Sequence, residues 1–147
     1  MYSARAVWPV SLIAFALCPS GGHRLAAQLK PQPKLWCAVG VAKPIYQLAE
    51  TAKLQVSFVV VNDGDAIADP EIGSSHLFIN GVEPSDWDFV INNGIRSAAA
   101  LPEGEVLSFG YELGPRYFAA PGIYTVRWQL ESCRSAEMTF RVMPRVH

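Results

Sequence analysis

The sequence predicts an all-β chain: an antiparallel β-sandwich of about seven short strands with one short helical excursion. Three observations lead there. Apolar residues recur with a two-residue period, most clearly where Leu54, Val56, Phe58 and Val60 share one parity. The periodic stretches are short and separated by Gly, Pro and Asn turns, where βαβ units would place long amphipathic helices. Finally, Pro121-Gly122 turns the chain into an alternating run ending at Trp128. Tyr124 stands just after that corner, two residues before a core position, where β-sandwiches place a tyrosine corner.

The elements follow in order. Pro31 and Pro33 block helix and ladder hydrogen bonds, so 28–34 reads as an extended linker. The first strand spans 35–41 and Lys43-Pro44 breaks it. The strongest strand covers 52–62; Val59 and Val61 fill its second face, the pattern of a strand buried on both sides. Asn62-Asp63-Gly64-Asp65 turns the chain, and a short strand follows over 75–79 with Leu77 and Ile79 on one face. Asn80-Gly81 is a two-residue hairpin signal, since both residues tolerate positive φ. Ser85 as N-cap opens a short helix in which Trp87, Val90 and Ile91 share a face, and Asn93-Gly94 stops it. Leu107, Phe109 and Tyr111 form the core face of the next strand, which Gly114-Pro115 ends. Strands over 123–130 and 138–143 complete the set.

The chain has 147 residues, enough for one domain. Arg5, the apolar run 6–18 and the break at Pro19-Ser20 read as a signal peptide over 1–27, too short to span a bilayer. Ala26-Ala27 offers the cleavage site, and lipid attachment at Cys18 is the other reading. The expected location is therefore extracytoplasmic, periplasmic or secreted, with no membrane span after cleavage and a single domain over 35–147. After residue 27, 10 Lys and Arg stand against 13 Asp and Glu, a net charge of −3. No basic run occurs, which argues against a nucleic-acid partner. Cys37 and Cys133 are the two cysteines left after cleavage, and an even pair in an exported chain predicts a disulfide. It would close a long loop, worth roughly 4 kcal/mol in the chain-entropy model.

Three stretches together carry a family resemblance: a strand ending Val60-Val61-Asn62-Asp63-Gly64, then Leu101-Pro102-Glu103-Gly104-Glu105 before a strand, then Pro121-Gly122-Ile123-Tyr124-Thr125-Val126. Over 54–142 the chain resembles bacterial extracytoplasmic immunoglobulin-like domains and, more loosely, the BsuPI-type proteinase-inhibitor family. The resemblance implies a two-sheet antiparallel sandwich and transfers no inhibitory residue. In such sandwiches the first strand often runs beside the last in parallel, which would bring Cys37 to Cys133. That bridge differs from the inter-sheet disulfide of antibody domains, whose second cysteine position is held here by Val126.

No motif marks an enzyme. Ser74, Ser75 and His76 adjoin, but strand neighbours point to opposite faces and no nucleophile elbow surrounds them. Asp63, Asp65, Asp69 and Glu71 make an acidic loop whose spacing is not that of an EF-hand, and turn chemistry accounts for it better than calcium does. Asp86 and Asp88 point apart, unlike the facing carboxylates of a glycosidase. No catalytic residue, metal or cofactor is therefore expected. The sequence favours a non-enzymatic binding module for a protein or cell-envelope component. Its candidate surface is the loop and helix over 83–96, with Asn92, Asn93, Arg96 and, as aromatic anchor, Trp87, for which core packing stands somewhat ahead of binding. A secreted proteinase inhibitor is the alternative, presenting 114–121 with Arg116 and Tyr117 as its exposed loop.

Overall fold

The computed structural model describes residues 30–93 and 100–145. Seven strands form two sheets: β1 (Leu35–Val41), β2 (Ile45–Gln47), β3 (Gln55–Asn62), β4 (His76–Ile79), β5 (Val106–Glu112), β6 (Gly122–Gln129) and β7 (Met138–Met143). One sheet has the order β1-β3-β5 and the other β2-β7-β6-β4. Every pairing is antiparallel except β2 with β7. This order, with the first strand split between sheets, is that of an immunoglobulin-like sandwich. Two short helices, α1 (Trp87–Asn92) and α2 (Gly114–Tyr117), and two 3₁₀ turns, Leu48–Lys53 and Ile72–Ser74, fill the connections.

The inward faces follow the sequence parity. Val56, Phe58 and Val60 from β3 meet Val126 and Trp128 from β6, all fully buried. Phe58 lies at the centre, its ring 5.3 Å from Phe109, 5.1 Å from Trp128 and 5.8 Å from Trp87. A second aromatic group joins Tyr46, Phe118, Tyr124 and Phe140, with edge or stacked contacts between 5.0 and 5.8 Å. The Tyr124 hydroxyl donates to the Ala120 carbonyl at 2.8 Å, so the corner residue ties the entry of β6 to the loop before it.

The turns obey their residues. Asn80 and Gly81 both have positive φ, 49° and 79°, and Ile79 and Val82 exchange backbone hydrogen bonds across them. Asn62 is buried and satisfied, donating to Ala66 and Leu101 carbonyls at 2.8 and 2.9 Å while accepting from the Gly64 amide. Gly114 sits against the chain before β3: an added Cβ would lie 1.6 Å from the Thr51 carbonyl oxygen, so no other residue fits.

Cys37 and Cys133 form the expected disulfide, with Cα atoms 5.8 Å apart. The route to it differs from the sequence reading. Lys43-Pro44 breaks the first strand, and only the short β2 runs parallel to β7. Cys37 stands on β1, in the other sheet, so the bridge joins that sheet to the β6–β7 connection. Several elements depart from expectation. Ala52 and Lys53, expected to open β3, instead end a 3₁₀ turn over Leu48–Lys53, and Gly114–Tyr117 coils into α2 because Pro115 presets a helical first turn. The N-cap of α1 is Asp86, whose side chain makes no capping bond, in place of Ser85. Val59 and Val61 face outward and stay partly exposed, because nothing among the described residues covers the outer face of the β1-β3-β5 sheet.

Candidate functional site

The connection from β4 to β5 closes the side of the sandwich between those strands. Its helix α1 turns Trp87, Val90 and Ile91 inward, the face expected from their i, i+3, i+4 spacing. The Trp87 indole N–H donates to the Ser75 carbonyl at 2.8 Å, and the Tyr111 hydroxyl donates to the Ile91 carbonyl at 3.0 Å. The helix is thereby fastened to the strand following it and to the segment before β4.

This overturns one assignment. Trp87 is 1% exposed and packs on Phe58, so it cannot serve as a surface anchor. The same helical phase turns Phe89 to solvent, where 63% of its surface is exposed. Phe89 is the aromatic that sequence reasoning missed; the signal was present, since any helix burying positions 87, 90 and 91 must expose 89. Asn92 donates to the Asp88 carbonyl within α1 and to Gly73 at 3.1 Å, joining the helix to the Ile72–Ser74 turn. Asn93 is exposed at the end of the helix. Arg96 lies outside the described residues.

Arg116 and Tyr117, proposed from a separate loop, come to this same surface. Tyr117 donates its hydroxyl to Asp86 Oδ1 at 2.9 Å, and Arg116 Nη1 bonds Asp86 Oδ2. Asp86 precedes α1, so one carboxylate links α1 to α2 across 31 residues. The Tyr117 hydrogen bond, then the Arg116 guanidinium, hold the Asp86 carboxyl below its ordinary range. Burial and the Asp86 carboxylate together push the Tyr117 hydroxyl well above the ordinary phenol value. Both groups thus keep the pairing forms, carboxylate and phenol, at neutral pH. Asp86 is the N-cap of α1 and Phe89 lies in its first turn, so the ion pair and the exposed ring belong to the same short segment.

The geometry gives the inhibitor reading no support. A reactive loop is extended and exposed, whereas 114–117 is helical, Phe118 is fully buried and Arg116 is engaged by Asp86. The serine–histidine reading fails. Ser75 is buried with its hydroxyl unpartnered, while His76 points outward and bonds Glu83 at 2.9 Å. The acidic loop divides its carboxylates among separate tasks. Asp65 accepts from the Gln32 amide at 2.6 Å, Asp69 accepts from the Glu71 amide at 2.9 Å, and Asp63 faces Trp36 and Lys34. Glu71 lies against Glu131, whose hydrogen bond and charge raise its carboxyl above the ordinary range. Among the described residues, no three carboxylate, imidazole or thiol groups converge as metal ligands would. Among the same residues, no helix is long and apolar enough to cross a membrane.

No protein-family model matches the chain, and no curated protein matches it. Among solved structures, it is similar to the CARDB domain of a Pyrococcus furiosus protein determined in solution: 11% identity over 78% of this chain and 98% of that domain, TM-score 0.48. The crystal structure of that domain in complex with di-metal ions gives 12% identity over 77% and 96%, with the same TM-score of 0.48.

Proposed function

We propose that this protein is a non-enzymatic binding module, exported from the cytoplasm, whose recognition surface is the side of the sandwich formed by α1 and α2. One observation carries the reading: two connections far apart in sequence are locked together by Asp86, Arg116 and Tyr117, and the short helix that Asp86 begins exposes an aromatic ring, Phe89. An exposed aromatic ring and an arginine held in fixed geometry are residue types enriched at interface hot spots. Loops held rigid by a sandwich are also where such folds carry recognition. The partner is a protein or cell-envelope component. The disulfide supports an oxidising compartment.

The test compares the protein with its Phe89→Asp variant, each used as bait in an extract of the native envelope. The variant keeps the fold, because Phe89 contributes little to the core. A component retained by the parent protein and lost with Phe89→Asp supports the reading; identical retention by both refutes this surface.

A further inference from the structure

The four sheet edges are unequal. The β2 edge is three residues long and follows Lys43-Pro44. The β4 edge is four residues long and is met by the returning Val82. The β5 edge ends on Glu112 and carries Tyr111, which is bonded to α1. Only β1 is long and plain. It runs seven residues, Leu-Trp-Cys-Ala-Val-Gly-Val, pairs with β3 at every position without a bulge, and contains no charge and no proline. Among the described residues nothing pairs with its outer side. Proteins ordinarily blunt such an edge with lysine, proline, bulges or a covering segment, and β1 has none of these.

The residues of the outer face beside this edge are themselves uncharged, although at the Trp36 end Lys34 Nζ lies 5.1 Å from the ring and Asp63 accepts from the indole N–H at 3.4 Å. Trp36, Val61 and Val106 lie in one row across the sheet, then Ala38, Val59 and Ser108, then Gly40, Ser57 and Gly110. Trp36 remains 56% exposed at one end of β1, while at the other end a Cβ added to Gly40 would meet nothing within 4 Å. The opposite sheet, by contrast, carries Arg127 and Arg141 on its outer face.

We propose that the β1 edge pairs with β1 of a second copy of this chain, antiparallel about a two-fold axis at Ala38. A full-length antiparallel pairing sets Leu35 opposite Val41, Trp36 opposite Gly40 and Ala38 opposite itself. Each Trp36 ring then covers the open Gly40 of the partner, the arrangement in which an aromatic shields a cross-strand glycine. The charges agree with this register. Lys34 falls opposite Ala42 and Lys43 opposite Pro33, and each lysine is already paired within its own chain, with Asp63 at 3.7 Å and Glu50 at 2.6 Å. No like charges meet. The ladder is about 24 Å long, a single pair of strands rather than a broad interface, so the dimer is weak and transient.

Sedimentation of the full chain and its Ala38→Lys variant, over matched concentrations up to about 1 mM, tests this. Ala38 is exposed, so the variant folds, but it sets two ammonium groups directly opposite each other and should weaken the dimer at least about fivefold. Separately, Ala38→Cys should give a covalent dimer on mild oxidation, mapped by mass spectrometry to position 38 of both copies. Ser108→Cys, on the same face but on β5, should not. A chain that stays monomeric, an association unmoved by Ala38→Lys, or no cross-link at position 38 overturns the proposal. The parent–variant comparison also separates β1 pairing from any association through the apolar residues 6–18.

Discussion

Removing the Cys37–Cys133 bridge is the sharpest perturbation of this fold, and its size follows from where the bridge sits. The two residues are 96 positions apart, so the cross-link closes a loop containing nearly the whole domain. In the chain-entropy model a loop of that length restricts the unfolded chain by about 4–5 kcal/mol at 25 °C. A domain of this size unfolds with an entropy near 2.1 cal/mol/K per residue, so each kcal/mol corresponds to roughly 4 °C, and the double variant Cys37→Ser/Cys133→Ser should melt about 15–20 °C lower. Part of that loss is local. Both cysteines are half-buried against the core, and two serines there desolvate hydroxyls in place of sulfur. Native geometry at the β6–β7 connection is otherwise retained, because the Leu130 amide donates to the Cys133 carbonyl at 2.8 Å and Ser135 accepts from Trp128 at 2.9 Å. The folded state should therefore keep its far-ultraviolet circular dichroism while its melting temperature falls. Calorimetry of parent and variant, with and without reductant, measures the difference. A shift under about 5 °C, or a parent protein indifferent to reductant, would refute the loop-entropy argument.

Three further outcomes are expected. Trp87→Ala should destabilise the domain by about 3–5 kcal/mol in denaturant titration, since it empties a fully buried site beside Phe58 and strands the Ser75 carbonyl; a loss below about 1 kcal/mol would return Trp87 to the surface. Asp86 has a depressed carboxyl pKa, so its stabilising pairing is fully present above the ordinary carboxylate range and is lost as pH falls through the folded value, below about pH 4. Carboxyl titration by NMR should show Asp86 titrating lower in the parent protein than in Tyr117→Phe; an unchanged titration contradicts the hydrogen bond. Tyr124→Phe keeps the ring stacked on Phe140 but deletes the bond to Ala120, and should cost about 0.5–1.5 kcal/mol in the same unfolding assay.

The sequence by itself determined what depends on nearest neighbours and parity. Leu54, Val56, Phe58 and Val60 had to share a face, Asn80-Gly81 had to turn, and Trp87, Val90 and Ile91 had to lie together on a helix, because backbone periodicity imposes those relations locally. Cys37 and Cys133 were paired on the expectation that Cys18 leaves with a signal peptide, and the structure bears the pairing out. The tertiary structure alone decided what lies against what. It sent β2, after the break at Lys43-Pro44, into the other sheet from β1, put Trp87 inside and Phe89 outside, and brought Asp86 to Arg116 and Tyr117. It also left the outer face of β1, β3 and β5 uncovered, although the valine run in β3 reads as buried on both sides. A strand's own residues state how apolar its faces are, but whether a second layer covers a face depends on distant segments and on other molecules. For the same reason Pro121–Trp128 announces a sandwich from its own residues, while the surface on which that sandwich acts appears only once distant connections meet.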